Sequence, residues 1–456
     1  MLRSTLASSL VRCLLITAPL ISASAAYAGA MPIAPSVAAI DAPQFAGLGK
    51  LPVGVRTVSM VSPRQPDLAL MVKSGGKEFV SDRTLQVHLW YPAKGPVTPA
   101  AGYAAMVPAM GSAKPGAAFE VAAVAGRDAA PADGAKYPLV LISHGFGGWG
   151  TMMSYLAEGL ASRGYVVAAI DHADQSFTDG ATFGLSFGSV MLLRSRDQRF
   201  VIDTLLRRAA GKDDAIGALI DAKQVGLIGY SMGGFGALAT AGAGYDKASP
   251  SFKGIPEPAL LPLTFGAPQA EPPVALNALV LIAPWGGQVA NRAWSPAALA
   301  VVRAPTLVIS GDQDDIVDYK DGVSWLFAGL TGTSRHMLVY QNARHNIAGN
   351  PTPAAAADFG AREYFDEPVW RRDRLMAINQ HFIGAFLDQN LKGDRGMAKY
   401  LDLSPVRAND AAWPLPFGSS SGAAFGTGTG TSAAYWPGFQ RRWAVGLEMH
   451  RREPGK

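Results

Sequence analysis

Cysteine is almost missing: the one copy in 456 residues is Cys13. It falls within an N-terminal stretch that reads as a secretory leader, so the expected mature chain has none. That excludes disulfides, a thiol nucleophile and any cysteine-held metal. Charge is scarce as well. Asp, Glu, Lys and Arg make up 16% of the chain against 49% hydrophobic residues, and the formal net charge is +5. The small basic excess is dispersed, with no dense Lys/Arg stripe, so nucleic acid is not an expected partner. The apolar stretch Cys13–Ile21 is too short to span a bilayer, and Pro19 interrupts it. Arg3 and Arg12 flank its polar start, and Ala26-Tyr27-Ala28 supplies small residues for cleavage. Residues 1–28 are therefore expected to be removed after Ala28, which makes the protein secreted or periplasmic, without a stable membrane span.

What is abundant is an alternation of buried strands and helices. Leu85–Tyr91 alternates as a strand and stops at Pro92. Leu139–Ile142 and Val166–Ile170 are continuous apolar runs, as in strands covered on both faces. Thr151–Arg163 between them has helical spacing and ends at Gly164. Further strands are expected at Val225–Ile228, Leu279–Ile282, Thr306–Ile309 and Met337–Tyr340. Helices are expected at Arg196–Arg208, Phe235–Ala243 and Tyr319–Leu330, with a long amphipathic one at Arg374–Leu391. This order predicts an α/β fold: a mostly parallel central sheet with helices on both faces, in a single catalytic domain with insertions. That domain should cover residues 29–415, opening on an irregular lead-in over 29–56. Its insertions fall at about 95–136, rich in small residues and proline, and 246–275, a candidate cap. Residues 416–456 read as a low-complexity linker, centred on 418–434, and a C-terminal tail.

Three G-x-S-x-G motifs occur, around Ser186, Ser231 and Ser420. A serine hydroxyl becomes a nucleophile when a sharp strand-to-helix turn presents it beside a base. Of the three, Ser231 follows an expected buried strand and precedes an expected helix. Ser186 reads as lying in a loop after Asp179-Gly180, and Ser420 lies in the low-complexity segment. Upstream, Ser143-His144-Gly145-Phe146-Gly147-Gly148 directly follows the strand 139–142. A loop at that place donates one backbone N–H to an oxyanion, and the residue after the nucleophile donates another. The expected donors are the amides of Phe146 and Met232.

Strand polarity sorts the seven histidines, because catalytic groups in such sheets gather at the strands' carboxyl ends. His336 precedes its strand and His345 follows it. His88 lies inside a strand, His381 in a helix and His450 in the tail. His144 and His172 do follow strands but precede Ser231, whereas this fold runs Ser, acid, His. His345 is therefore the expected base. The acid should follow the strand 306–309, where Asp312, Asp314, Asp315 and Asp318 crowd together, and Asp314 is preferred. The cluster lacks the spacing and closing Glu of a calcium loop, so no metal is expected.

These segments resemble the α/β-hydrolase superfamily over roughly residues 80–390, and within it the platelet-activating-factor acetylhydrolase and dienelactone-hydrolase-like group. The resemblance rests on Ile142–Gly148, on Leu160–His172 and on Gly229-Tyr230-Ser231-Met232-Gly233-Gly234. It implies an acid at the last position of the G-x-x-D after the seventh strand, which falls on Asp314. Strict dienelactone hydrolases use a cysteine nucleophile, where this chain has serine.

The expectation is an exported serine hydrolase of carboxylic esters working through an acyl-enzyme, with no cofactor. Its partner would be a small-molecule ester or lipid. A peptidase or amidase on the same fold is the nearest alternative, and a non-catalytic binding protein is a third class whose usual mark, a missing triad member, is not present. Trp149 and Trp285 follow strand ends and are expected to line an apolar pocket. No Arg or Lys lies in those segments, which favours neutral esters with short to medium acyl chains, ester lipids or polyesters.

Overall fold

Apolar runs of four to eight residues, separated by turns rich in glycine and proline, produce the expected alternation of strand and helix. The computed structural model describes residues 34–412 (except 78, 101, 110, 112–115, 175–176 and 212–213), 435–440 and 442–456. The expected leader, Ser420 with its motif, and the low-complexity segment 418–434 lie outside the described residues.

Among the described residues twelve strands follow in order: β1 Val53–Pro66, β2 Val80–Pro92, β3 Tyr103–Met106, β4 Ala118–Val121, β5 Gly126–Arg127, β6 Tyr137–Ser143, β7 Val166–Asp171, β8 Ile220–Tyr230, β9 Ala278–Ile282, β10 Thr306–Gly311, β11 Arg335–Tyr340 and β12 Leu447–Arg452. Ten of them form one sheet in the order β12-β11-β10-β9-β8-β6-β7-β2-β1-β5. The six from β7 to β11 are mutually parallel. β2 is antiparallel to β7, β1 to β2 and β12 to β11. β9, β10 and β11 are buried at every position, which is why they carry no polar alternation. β6 pairs with both β7 and β8. The chain therefore winds outward one way to β7 and the other way from β8. Such a reversal opens a crevice at the carboxyl ends of the strands, the usual place for a ligand in this architecture.

The helices Gly180–Ala210 and Met232–Thr240 pack together as one pair, and Ser154–Ser162 and Arg372–Leu391 as another. Among the described residues no helix is long and apolar enough to cross a membrane.

Several elements differ from the sequence expectation, each for a physical reason. The lead-in ends at residue 52, because β1 begins at Val53. Its polar alternation and Pro63 and Pro66 disguise a strand that pairs with β2 over nearly its whole length. The stretch 95–136 carries the β3–β4 hairpin and β5. The helix expected at 196–208 starts at Gly180, where the Asp179 carboxylate accepts from the Thr182 N–H at 2.8 Å and the Thr182 hydroxyl accepts from the Asp179 N–H. This reciprocal cap nucleates the first turn, so Ser186 is a buried helical residue rather than a loop serine. The helix Arg372–Leu391 is buried continuously from Leu375 to Leu387, not amphipathic. Its outer side is covered by Phe45 from the lead-in and by Trp436 and Phe439 from the tail, which stack around His381 and Phe382. The tail is thus part of the core, and its β12 closes one edge of the sheet.

Candidate active site

The turn at the end of β8 holds its serine in a strained backbone conformation. Ser231 has φ 52° and ψ −114°, a conformation that costs a non-glycine residue roughly 1–3 kcal/mol. Neighbours force it. A Cβ on Gly229 would meet the Gly233 carbonyl oxygen at 2.4 Å, and one on Gly233 would meet the Ser143 carbonyl oxygen at 2.0 Å. Glycine at both positions lets the turn fold back against β6. The strained residue is anchored on both sides: its N–H donates to the Ile282 carbonyl at 2.9 Å, and its carbonyl accepts from Phe235 N–H and Trp285 N–H.

The Ser231 Oγ is 3.1 Å from His345 Nε2, and His345 Nδ1 is 2.8 Å from Asp314 Oδ2. The other Asp314 oxygen accepts from the N–H groups of Ile316 and Val317 at 3.0 and 3.1 Å. An ionised carboxylate is an acceptor only, so the shared proton sits on Nδ1 and Nε2 is left to accept from the serine hydroxyl. The neighbouring carboxylates turn elsewhere. Asp312 accepts from Asn342 N–H, Asp315 pairs with Arg344, and Asp318 accepts from Asp321 N–H. The three residues expected to form a triad are brought together from the ends of β8, β10 and β11. His336 lies at the opposite end of β11, bonded to Asp402.

Phe146 and Met232 both sit beside Ser231. Met232 is the first residue of the helix after the turn, where backbone N–H groups have no partner within the helix. A Cβ on Gly145 would lie 3.2 Å from the Ser231 Cβ, so the 145–147 loop runs directly past the Ser231 turn. Ser231 and His345 open into a cleft of about 360 Å³, lined also by Phe146, Met152, Tyr230, Ile316 and Tyr364.

Neither expected tryptophan lines this cleft. Trp149 lines a tight neighbouring pocket with Phe119 and Phe365. Trp285 is 8% exposed and packs edge-on against Phe187 and Phe235. The reason is that both occupy aromatic clusters, which satisfies their area without the cleft. Nor does residue 246–275 line it; the far wall comes from the short helix Phe359–Phe365, where Tyr364 reaches the Phe146 carbonyl. Sequence reasoning missed three residues here. Tyr230, whose ring lies 5.3 Å from the His345 ring, is adjacent to the serine and carried that signal alone; burial pushes its hydroxyl up. Tyr364 stands in a helix too short for periodicity to reveal. Arg344 lines the cleft although the segments first considered held no cation. It is held by Asp315 at 2.6 Å and faces Glu363 at 3.8 Å, so its charge is already met. Among the described residues no group of three or more His, Asp or Glu side chains is gathered to hold a metal.

Comparison with known proteins agrees with this architecture. The family described as platelet-activating factor acetylhydrolase, isoform II matches residues 79–185, and the alpha/beta hydrolase fold family matches residues 138–249. A platelet-activating factor acetylhydrolase of Bos taurus is 32% identical over 99 residues, 19% of this chain and 22% of that protein. A bis(hydroxyethyl) terephthalate hydrolase of Streptomyces coelicolor is 27% identical over 210 residues, 45% of this chain and 49% of the relative. These matches span half or less of the relatives' own length. The solved structure of a ferulic acid esterase from Streptomyces cinnamoneus superposes with a TM-score of 0.51 at 22% identity, covering 75% of this chain and 91% of that one. The chain is an α/β-hydrolase-fold protein. Within that superfamily its likeness is to the platelet-activating-factor-acetylhydrolase-like group.

Proposed function

We propose that the protein is a serine hydrolase of carboxylic esters. The observation that carries the reading is the hydrogen-bonded line Ser231–His345–Asp314 at the floor of an open cleft. Ser231 Oγ attacks the ester carbonyl while His345 Nε2 takes its proton. Asp314 keeps the imidazole in the tautomer this needs and stabilises the imidazolium that forms. The amides of Phe146 and Met232 hold the oxyanion of the tetrahedral intermediate. The alcohol leaves with the proton from His345, and water then cleaves the acyl-enzyme by the same route in reverse.

The substrate reading is a neutral ester of short to medium acyl length, an ester lipid or a polyester. Three things support it: the apolar lining by Phe146, Met152 and Ile316, the neutralised Arg344, and relatives whose names specify esters. Turnover of p-nitrophenyl acetate, with a fluorophosphonate probe labelling Ser231, tests the reaction class. A soluble wild-type protein that is neither labelled nor active would sink it. A screen across acyl chain lengths locates the substrate. Export rests on the leader read from the sequence, and N-terminal sequencing of exported protein should begin at Gly29. An intact Met1 on soluble cytosolic protein would refute export.

A further inference from the structure

The amide of Phe146 can serve an oxyanion only if it faces Ser231, and a backbone loop rich in glycine does not hold one orientation unaided. In a trans peptide the C=O and the following N–H point in opposite directions. Whatever grips the Gly145 carbonyl therefore aims the Phe146 N–H. The Gly148 N–H donates to it at 3.2 Å from within the loop, and two buried side chains grip it as well. Arg194 Nη2 donates to the Gly145 oxygen at 3.0 Å, and His144 Nδ1 lies 2.6 Å from the same oxygen. The His172 N–H donates to His144 Nε2 at 3.2 Å, which leaves the His144 proton on Nδ1 and makes that ring a donor. The other flank of Phe146 is tied too. The Gly147 N–H donates to Asp174 Oδ2 at 3.2 Å, and Asp174 forms a two-pronged pair with Arg194 at 2.7 and 2.5 Å. One guanidinium, fully buried on the helix Gly180–Ala210, thus reaches the carbonyl before Phe146 directly and the amide after it through a carboxylate. Burial would push the Asp174 carboxyl up, but the Arg194 charge and its hydrogen bonds outweigh that and hold it below its ordinary value.

We infer that Arg194 is a positioning residue for ester hydrolysis: with Asp174 it clamps the 145–147 loop so that the Phe146 N–H points at the oxyanion. The inference rests on the hydrolase reading above. It assigns a catalytic purpose to a buried ion pair that stability alone does not require, since replacing such pairs with apolar groups is often neutral.

The test is steady-state kinetics on p-nitrophenyl acetate, with the dissociation constant of an aryl trifluoromethyl ketone, for wild type, Arg194→Lys and the double variant Arg194→Met/Asp174→Asn. The double variant avoids stranding a buried charge, and Arg194→Lys keeps a cation should the double variant fail to fold. Deleting an oxyanion donor outright costs about 10²–10³ in kcat, and a misaimed donor should cost about tenfold to a hundredfold. The expected result is that loss in kcat for the double variant, a smaller loss for Arg194→Lys, KM within about threefold, and ketone affinity falling in parallel with kcat. A merely structural role would lower the melting temperature and leave kcat of the folded fraction unchanged. Folded Arg194→Lys with wild-type kcat and ketone affinity overturns the assignment while leaving the hydrolase reading standing. An inactive wild type, by contrast, removes that reading and this one together.

Discussion

Two Ser–His–Asp clusters lie side by side among the described residues. In one, Ser231, His345 and Asp314 meet at 3.1 and 2.8 Å. In the other, Ser143 Oγ is 2.7 Å from His172 Nε2, and His172 Nδ1 is 2.9 Å from Asp197 Oδ2. Residue types and bonding order are the same. The difference lies in access and in what burial does to His172. Ser143, His172 and Asp197 are all fully buried, and Ser143 sits in regular strand, whereas Ser231 is strained into the cleft. Burial, together with the charges of Arg194 and Arg83, holds His172 well below its ordinary pKa, so it resists becoming the imidazolium that general-base chemistry demands. Burial also pushes the Asp197 carboxyl up to about 7, although Arg83 grips it at 3.0 Å. The second cluster is built to stay as it is. Gln198 shows what it braces: its amide donates to both Ser143 Oγ and the Gly233 carbonyl, 2.9 Å each, joining it to the Ser231 turn. The residue list alone therefore does not distinguish the two clusters; access and burial do.

The sharpest way to break this comparison is to remove each serine in turn. Ser231→Ala should lower kcat by about 10⁵–10⁶ with the fold intact. Ser143→Ala should leave kcat within a few-fold and cost about 1–3 kcal/mol of stability, since it strands buried partners. A fluorophosphonate should label Ser231 and spare Ser143, Ser186 and Ser420. Label that survives Ser231→Ala would reverse the two assignments.

Next come the acids. Asp314→Asn should cost about 10⁴ in kcat with little change in unfolding midpoint, as tautomer loss does in other triads. Asp197→Asn should do the opposite, moving the urea midpoint far more than kcat. Asp312→Asn, Asp315→Asn and Asp318→Asn should each stay within about tenfold of wild type, because their carboxylates face backbone amides or Arg344. If Asp315→Asn were the crippling change, the register of this loop would be off by one residue.

The smallest effect uses a histidine outside both clusters. His381 is buried, accepts from the Phe45 N–H, and burial followed by the Arg163 charge lowers its pKa to about 3. The unfolded chain therefore binds this proton first, near pH 6.5. Stability is held above that pH and lost as pH falls toward 3, by at most about 1.4 kcal/mol per pH unit. Urea midpoints between pH 7 and 4 should fall less steeply in His381→Gln than in wild type. Equal slopes would show that another group carries the acid sensitivity.

Much of the fold and the site was legible because short-range rules govern them. β6 to β11 are apolar runs set between turn residues, and such runs bury themselves whatever surrounds them. The Ser231 turn was legible from its glycines: Gly229 is needed by a backbone contact within its own strand–turn–helix unit, and Gly233 by the close approach of the neighbouring strand β6. Chain order and strand polarity then selected His345 and Asp314. β1, the tail strand β12 and the burial of the helix Arg372–Leu391 were not legible. β1 was hidden by its polar alternation and prolines, whereas the stabilising partners of β12 and of the helix lie far away in sequence, as when Phe45 and Phe439 meet His381.

The alternating strands, the sharp serine turn and the order Ser, Asp, His are all written in local spacing and in glycine's freedom at close approaches. The tertiary structure alone decided which serine, histidine and aspartate have room to react. It placed Trp149 and Trp285 in aromatic clusters, brought Tyr364 and Arg344 to the cleft, and set Arg194 behind the 145–147 loop. The physical reason is that access, desolvation and the field of neighbouring charges are properties of packing between distant segments, and no local pattern encodes them.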